Sequence, residues 1–402
     1  MKIAMVSEHA NPLADVGSVD AGGQNVHVGA LAKGLTSRGH DVTVFTRKDD
    51  PSAPRRITSA DGYVVELVTA GPPTDIPKDE LLQYMPAFAA RLEDRWVSEP
   101  FDLAHSHFWM SGVAATSAAA SVGLPVVHTF HALGTVKRRQ QGRRDTSPAD
   151  REAIEARLCG TVDHVIATCT DEISELRRMG MDTRRATVVP CGVDVASFVP
   201  LPREPTGRPR LLVLGRLVER KGVGNVITAL GRLPGVDLLI AGGPARDALS
   251  ADPEVCRLRE LAVTAGCSDR VKFLGRVHRA DVPALIASVD IVVAVPWYEP
   301  FGIVPLEAMA CGRPVVGSAV GGLLDTIVPG VTGELIPPRR PDLIADTVRA
   351  LLADPDRRAA YGRAGYERAV SIYRWEQVAA ATETVYETVL SRRPRVAAEL
   401  LR

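Results

Sequence analysis

The chain alternates short apolar runs with longer amphipathic stretches along almost its whole length. Runs such as Lys2–Ser7, Asp41–Thr46 and Leu211–Gly215 are rich in Val, Ile and Leu and have the length of buried strands. The stretches between them carry apolar residues at the helical period. This alternation is typical of βα units, whose strands form parallel sheets. We therefore predict an α/β protein.

The series of predicted strands and helices occurs twice. In the first half the predicted strands are Lys2–Ser7, Asp41–Thr46, Val64–Val68, Leu103–Ser106, Val126–Thr129, His164–Thr168 and Thr187–Val189. The predicted helices of this half are Gln24–Arg38, Lys78–Ser98, Pro148–Cys159 and Asp171–Met179. In the second half the predicted strands are Leu211–Gly215, Val236–Ala241, Val271–Leu274, Ile291–Val295 and Pro314–Ser318.

A segment rich in proline, Val199–Pro209, separates the two series and has the composition of a linker. The length of 402 residues also exceeds what one core usually organises. We predict a Rossmann-like domain over residues 1–199, a linker over 200–209, a second Rossmann-like domain over 210–372 and a terminal helical segment over 373–402. Two such halves would enclose a cleft between their strand ends, where open α/β sheets bind ligands.

Composition excludes several classes of protein. Lys and Arg total 48, as do Asp and Glu, so nothing indicates a nucleic-acid partner. No apolar run approaches the roughly 20 residues that span a bilayer, and the chain opens on a predicted strand rather than a signal peptide. The six cysteines contain no Cys-x-x-Cys pair, which argues against zinc and disulfides. We expect a soluble cytoplasmic protein without peripheral membrane contact. The oligomeric state stays open, with a homodimer as one option.

The richest motif lies directly after the predicted strand Ile291–Val295. There Glu299 precedes a predicted helix, and Glu307 lies about one turn inside it, so both carboxylates can accept hydrogen bonds from one polyhydroxyl ligand. Backbone N–H groups at the helix start favour an anion such as phosphate. They belong to Phe301, Gly302, Ile303 and Val304. Taken singly, the two glutamates would be explained by the helix dipole and by solvation.

Two glutamates separated by seven residues, with Phe-Gly between them, form a specific signature. It resembles the donor-site motif of retaining glycosyltransferases with the two-domain GT-B fold, in the family 4 group that includes sucrose synthases and the mycothiol-pathway (inositol-phosphate) glycosyltransferase. The resemblance implies that Glu299 holds the sugar hydroxyls and that Glu307 binds the ribose. It further implies that Gly302, with Ile303 and Val304, meets the diphosphate, and that the terminal helix crosses back onto the first domain.

A cationic pair follows the first strand of the second half. Arg216 leaves the strand end, and Lys221 stands five residues later at the next helix. The pair resembles the diphosphate clamp of the same family, and the physics agrees: cations placed in advance stabilise the charge that collects on a leaving nucleoside diphosphate, without a metal. By the same resemblance, the backbone of Val277 and His278 holds the nucleotide base.

The first half contributes a glycine turn and a histidine. In the loop Asp15–Asn25 two glycines precede a predicted helix, and the resemblance places Gly23 against the donor diphosphate and Asn25 near the acceptor. His131 matches the active-site histidine of the family, which contacts the donor sugar. The other histidines at strand ends, His105, His107 and His128, would need a carboxylate partner to form a metal site, and none is evident. We predict no metal.

The acceptor end is less clearly determined by the sequence. Lys78 matches a lysine that binds the acceptor phosphate in the mycothiol-pathway enzyme, but Phe108 and Ala132 stand where that enzyme has tyrosine and threonine hydroxyls. Arg157 is a candidate for an acidic acceptor. The basic stretch 137–144 is explained equally well as a solvated loop or as an anion-binding loop.

The resemblance as a whole implies a retaining, metal-independent glycosyltransferase of the hexosyltransferase type. It needs no cofactor besides its co-substrate, a UDP- or GDP-sugar. The acceptor is a small hydrophilic molecule, with inositol phosphate and sugar-like compounds among the options. The alternatives are a nucleotide-sugar-binding protein or an epimerase on the same fold. A glycoside hydrolase would also use paired carboxylates, but the phosphate-binding loops would then serve no purpose.

Overall fold

A computed structural model describes residues 1–14, 23–202 and 207–392. Most of the glycine-containing loop after the first strand, part of the linker and the last ten residues of the chain lie outside the described residues. The described chain contains two separate sheets, one in each half. The prediction of two Rossmann-like α/β halves is confirmed.

The first domain is built on an eight-stranded sheet with the order β3-β4-β2-β1-β5-β6-β7-β8. Its strands are β1 (Lys2–Val6), β2 (Asp41–Arg47), β3 (Arg56–Thr58), β4 (Val64–Val68), β5 (Leu103–His107), β6 (Val126–Thr129), β7 (His164–Ala167) and β8 (Ala186–Val188). Its helices are α1 (Gly23–Ser37), α2 (Met85–Ser98), α3 (Trp109–Val122), α4 (Gly134–Gln141), α5 (Arg151–Thr161) and α6 (Thr170–Arg178). Every pairing is parallel except that of β3 with β4.

The second domain is built on a six-stranded parallel sheet with the order β11-β10-β9-β12-β13-β14. Its strands are β9 (Arg210–Leu214), β10 (Asp237–Ala241), β11 (Val271–Gly275), β12 (Ile291–Ala294), β13 (Val315–Ser318) and β14 (Gly333–Ile336). Its helices are α7 (Val223–Leu230), α8 (Pro253–Thr264), α9 (Val282–Ala287), α10 (Ile303–Ala310), α11 (Leu323–Thr326), α12 (Pro341–Ala353) and α13 (Pro355–Ile372).

The last described helix, α14 (Trp375–Arg392), packs against the first domain. Its apolar side chains share a buried cluster with β1, β2 and α1. The hydroxyl of Tyr386 lies 2.6 Å from Nδ1 of His105 on β5, and Glu383 pairs with His40 at 2.7 Å. The first sheet is therefore covered on one face by α1 and α14, and on the other by α2 and α3.

Several elements differ from the sequence prediction. Helix α3 was not predicted, and the basic stretch 137–144, which was expected to be a loop, instead lies on α4 and the 3-10 turn Gly142–Arg144 that follows it. The predicted helix Lys78–Ser98 divides into a 3-10 segment, Lys78–Tyr84, and α2. Pro86 explains the break, because a proline in the first turn starts a helix but cannot continue one from the preceding turn. The short strands β3 and β14 were not predicted, since edge strands of three or four residues carry too little periodicity to recognise. Within the described part of the chain, no helix has both the length and the apolar character needed to cross a bilayer.

Candidate active site

A cleft of about 940 Å³ separates the two domains, and the carboxyl ends of both sheets face it. From the first domain it is lined by His9 after β1, Phe108 after β5 and His131 after β6. The second domain contributes Arg216 after β9 and the segment 295–305 after β12. Parallel strands bring these residues together because their C-terminal ends share one edge of each sheet.

Lys221 and Glu299 form an ion pair on the second-domain wall of the cleft. Their side chains are 24% and 14% exposed, so both groups are largely removed from solvent. Burial alone would raise the pKa of Glu299, but the charges of Lys221, Arg220 and Arg216 outweigh burial and hold that pKa below its ordinary value. The sequence predicted both residues here, and the structure brings them together.

The turn that starts α10 also lines the cleft. Gly302 has a φ of +79°, a left-handed conformation that favours glycine, and Phe301, Ile303 and Val304 flank it on the cleft wall. By helix geometry the N–H groups of Ile303 and Val304 have no acceptor inside the helix. They offer hydrogen bonds to an anion in the cleft.

Glu307 lies one turn deeper in α10 and is 1% exposed. Its burial raises its pKa, against the opposing charge of Arg279, which forms an ion pair with it. Arg279 also lines the cleft, and the sequence analysis did not single it out. No local signal in the sequence connects these two residues, because they are 28 positions apart and meet only in the folded domain.

His131 is buried at the first-domain wall and has a φ of +61°. Its Nε2 lies 2.9 Å from Nδ1 of His107, and its ring centroid lies 5.1 Å from that of Phe301 across the cleft. Burial lowers the pKa of His131 well below the ordinary value for histidine, so the imidazole is neutral.

The remaining strand-end histidines bond to neighbouring core residues. His105 lies between Tyr386 and Thr129 Oγ1, the latter at 2.9 Å, and His128 Nδ1 lies 2.8 Å from Ser106 Oγ. Within the described ranges, no three His, Cys, Asp or Glu side chains come together in an arrangement that could hold a metal ion.

Of the residues predicted in the first glycine loop, Gly23 lines the cleft. A Cβ at this position would lie 3.1 Å from Cδ1 of Ile303, so Gly23 meets the start of α10 across the cleft. The prediction for residues 15–22 falls outside the described residues. Asn25 is buried, and its Nδ2 donates to the carbonyl of Asn11 at 2.9 Å, whereas Gln24 is the residue that lines the cleft.

The acceptor candidates Lys78, Phe108 and Ala132 line the first-domain end of the cleft. Arg151 accompanies them, with its guanidinium carbon 5.1 Å from the centre of the Phe108 ring and its Nη2 donating to the carbonyl of Ala132 at 2.6 Å. The ammonium of Lys78 lies 5.5 Å from the centre of the same ring. Two cations therefore lie against the aromatic ring of Phe108.

Arg157 does not reach this group. It is exposed on α5 and does not line the cleft, whereas Arg151 on the same helix is 2% exposed and does. Six positions are not a whole number of turns at about 3.6 residues per turn, so the two arginines face different sides. A sequence signal for the right residue existed, because Arg151 and Glu155 stand four apart and pair at 2.7 Å.

The basic stretch 137–144 is largely paired with carboxylates. Lys137 contacts Asp145 at 2.9 Å, and Arg139 donates twice to Glu175, at 2.8 and 2.9 Å. Arg144 pairs with Glu219 of the second domain. The sequence analysis described this stretch as either a solvated loop or an anion-binding loop. Neither description is complete, because most of these cations form ion pairs with carboxylates of the protein.

The two residues predicted in the turn after β11 differ in whether they line the cleft. Val277 lines the cleft, as do Gly242 and Gly243 from the neighbouring strand end. His278 is exposed and does not line the cleft; its Nδ1 accepts from the N–H of Ala280 at 3.3 Å.

Two Rossmann-like domains whose strand ends face one cleft, with cations and a helix start on the second-domain wall, define the GT-B class of glycosyltransferases. The sequence profile described as Glycosyltransferase Family 4 matches residues 21–197, and the one described as Glycosyl transferases group 1 matches residues 200–368. The chain belongs to this glycosyltransferase family.

Two relatives that cover nearly the whole chain carry the same name. The D-inositol 3-phosphate glycosyltransferase of Xylanimonas cellulosilytica is 35% identical over 414 residues, covering 98% of each chain. The D-inositol 3-phosphate glycosyltransferase of Mycobacteroides abscessus is 36% identical over 391 residues, covering 94% of this chain and 87% of the relative.

Solved structures show the same architecture. The sucrose-phosphate synthase of Thermosynechococcus elongatus superimposes with a TM-score of 0.90 at 32% identity and covers 98% of this chain and 100% of its own. The HepE protein of Anabaena, solved in complex with UDP-glucose, superimposes with a TM-score of 0.73 at 20% identity over 97% of this chain and 100% of its own. The prediction of the GT-B fold and of this family is confirmed.

Proposed function

We propose that this protein is a retaining, metal-independent glycosyltransferase that moves a sugar from a UDP-sugar to a small phosphorylated polyol. The single observation that carries the proposal is the second-domain wall, where Arg216 and the Lys221–Glu299 pair lie beside the start of α10. A nucleoside diphosphate supplies the anion that such a wall stabilises, and a sugar supplies the hydroxyls that a carboxylate binds.

Each wall residue has a proposed role toward the donor. Arg216, Lys221 and the N–H groups at the start of α10 bind the diphosphate, and Gly23 closes on it from the first domain. Glu299 accepts from sugar hydroxyls, and Glu307 accepts from ribose hydroxyls. His131 contacts the sugar, and the backbone beside Val277 and His278 holds the base. The Anabaena HepE complex with UDP-glucose supports a uridine nucleotide as the donor.

The proposed chemistry follows from these positions. The bond between the sugar and the diphosphate breaks, the acceptor oxygen bonds to the same sugar carbon on the same face, and the acceptor proton passes to the departing diphosphate. Glu299 and Glu307, the two glutamates on the second-domain wall, are each paired with a cation. A carboxylate paired in this way is better suited to accept hydrogen bonds from hydroxyls than to attack the sugar carbon. Cations that are already in place stabilise the leaving group without reorganisation.

The acceptor end supports an anionic substrate. Lys78 brings a positive charge to the Phe108 ring, Arg151 adds a guanidinium whose charge is shared with Glu155, and His9 lines the same end. The named relatives, D-inositol 3-phosphate glycosyltransferase and sucrose-phosphate synthase, also support a phosphorylated polyol. Phe108 and Ala132 lack the hydroxyls of the mycothiol-pathway enzyme, so we assign the class of acceptor rather than one member.

The first test is binding followed by transfer. UDP, GDP, ADP and their glucose and N-acetylglucosamine conjugates are added in thermal-shift measurements, where a ligand that binds the folded state raises the melting temperature with concentration. The best donor is then incubated with inositol phosphates and hexose phosphates, and release of the nucleoside diphosphate is followed. Lys221→Ala is expected to lower the transfer rate by about 100-fold or more, by analogy with the loss of one oxyanion-hole donor.

Lys272→Ala is the matched control, because Lys272 is an exposed lysine of the same domain outside the cleft lining. A Lys221→Ala enzyme with the wild-type rate, or a wild-type protein that binds none of the nucleotides, would refute the proposal. Conversion of the donor sugar without any acceptor would favour an epimerase instead.

A further inference from the structure

The buried carboxylate of Glu307 depends on one residue of the cleft wall, Arg279. Glu307 has a side chain that is 2% exposed, and Arg279 is the cation that pairs with it. A carboxylate removed from water is costly unless it is paired, and without a partner it takes up a proton. Arg279 therefore favours the ionised state of Glu307, in opposition to the burial that raises its pKa.

Arg279 is itself held on two sides. One nitrogen of its guanidinium donates to Oε1 of Glu307, and its central carbon lies 4.6 Å from the centre of the Phe198 ring. Phe198 is 1% exposed and lies just before the interdomain linker. A guanidinium between a carboxylate and an aromatic face has little freedom to rotate, so it sets the rotamer of the carboxylate that it binds.

The Arg279–Glu307 pair lies in the cleft that is proposed to bind the donor. Both residues line the cleft, Arg279 in the turn before α9 and Glu307 in the second turn of α10. An ionised carboxylate accepts hydrogen bonds from two neighbouring hydroxyls, whereas a protonated one loses part of that capacity.

We propose that Arg279 is a positioning residue that holds Glu307 ionised and oriented, so that the site distinguishes a ribose from a deoxyribose in the bound nucleotide. This inference rests on the proposed function, in which Glu307 faces the ribose. Arg279 acts through Glu307 and does not itself bind the ribose hydroxyls.

The test compares a nucleoside diphosphate with its 2′-deoxy analogue by isothermal titration calorimetry, from pH 6.0 to 8.5. The nucleotide is whichever of UDP, GDP and ADP binds the wild type most tightly. The wild type is expected to prefer the ribonucleotide by about 10- to 100-fold, the worth of one hydrogen bond to a charged group. In Arg279→Met this preference is expected to fall to about threefold or less, and ribonucleotide affinity is expected to weaken further toward pH 6, as Glu307 takes up a proton.

Two further variants separate charge from structure. Arg279→Lys keeps a cation and is expected to keep a larger preference than Arg279→Met and a flatter pH profile. Arg357→Met is the matched control, because Arg357 also pairs with a glutamate, Glu334, and lies 5.2 Å from the centre of the Tyr361 ring, but does not line the cleft. It should retain the wild-type preference. Should Arg279→Met fail to fold, Arg279→Gln takes its place with the same expectation.

The outcomes separate this inference from the function on which it rests. A wild-type preference in Arg279→Met across the whole pH range, or equal losses for the two nucleotides, would overturn the positioning role while leaving the proposed function intact. Failure of every nucleoside diphosphate to bind the wild-type protein would overturn the proposed function, and this inference with it.

Discussion

At the scale of single residues, Gly302 shows how backbone conformation determines the shape of the second-domain wall of the cleft. Its φ of +79° turns the chain from the end of β12 into α10, and it lies against α11. A Cβ added to it would lie 3.3 Å from both Leu323 Cδ1 and Thr326 Oγ1. Any larger residue would therefore be strained by its own backbone and pushed away from α11, which would move the N–H groups that start α10.

Gly302→Ala is expected to lower the free energy of unfolding by about 1–2 kcal/mol, the cost of a left-handed conformation for a residue with a Cβ. It should also weaken nucleoside diphosphate binding by about tenfold, since the anion-binding N–H groups shift. Urea denaturation and calorimetry measure the two effects. Gly123→Ala is the control: Gly123 has a φ of +67° with nothing within 4 Å of an added Cβ, so it should lose stability but not binding. Equal nucleotide affinity in both variants would contradict the role assigned to Gly302.

At the scale of elements, α14 connects the two domains. The chain leaves α13 in the second domain, and α14 then lies along α1 and the first sheet. Trp375 begins the helix with its ring beside Gly192 and 5.4 Å from the ring of His27, and Tyr386 bonds to His105 further along. Docking of α14 thus combines apolar burial with a hydrogen bond inside the core.

Tyr386→Phe is expected to lower the free energy of unfolding by about 1–2 kcal/mol, because it removes the buried hydroxyl and leaves Nδ1 of His105 without that partner. The measurement is urea denaturation followed by circular dichroism. The same substitution at Tyr366, which lies on the partly exposed side of α13, should change stability by less than about 0.5 kcal/mol. If the two variants were equally stable, the hydrogen bond would not contribute to the docking of α14.

At the scale of the whole molecule, the two domains meet through direct hydrogen bonds. Gln141 Nε2 donates to the Tyr298 hydroxyl at 2.9 Å, and Thr168 Oγ1 donates to the Pro300 carbonyl at 3.1 Å. The backbone N–H of Thr170 donates to the carboxylate of Asp325 at 2.6 Å. These bonds hold the second-domain wall of the cleft close to the first domain, which in the proposed function keeps water away from the reacting sugar.

Global stability is expected to depend on pH through buried histidines. Burial lowers the pKa of His27 and of His164 to about 4 and that of His128 to about 3, and it lowers the pKa values of His105, His107 and His131 well below the ordinary value. The unfolded chain binds protons at these sites below about pH 6.5, and the folded chain does not. Stability should therefore be level above about pH 7 and fall below it, by about 1.4 kcal/mol per pH unit for each such histidine.

Buried acids act in the opposite sense, because burial raises the pKa of Glu155 and of Glu307 as well as that of Glu172. Burial raises the pKa of Glu172 to about 7, so the folded chain takes up a proton there before the unfolded chain does. This uptake offsets about one of the histidines. Urea denaturation at half-unit steps from pH 8 to pH 5 measures how steeply the free energy of unfolding changes with pH. His27→Gln should reduce that slope by the contribution of one histidine, about 1.4 kcal/mol per pH unit. A stability that stays constant between pH 7 and pH 5 would contradict this account.

Much of the second-domain wall of the cleft could be located from the sequence because its signals are local. The alternation of strand and helix periods determines the class of fold, and a glycine between Glu299 and Glu307 at the start of a helix marks an anion site within a few residues. Strand ends of a parallel sheet share one edge, so residues such as Arg216 and His131 could be assigned to a cleft before their distances were known.

The acceptor side and the ion pairs depended on tertiary structure. The order of strands in the first sheet, with β1 between β2 and β5, brings His9 beside Phe108. The orientation of α5 about its axis determines that Arg151, and not Arg157, lines the cleft. The pairing of Arg279 with Glu307 joins two strand ends whose distance along the chain says nothing about their distance in space. Local periodicity sets which elements form, because each depends on neighbours along the chain. Which side chains meet depends on how those elements pack, and that packing is a property of the whole core.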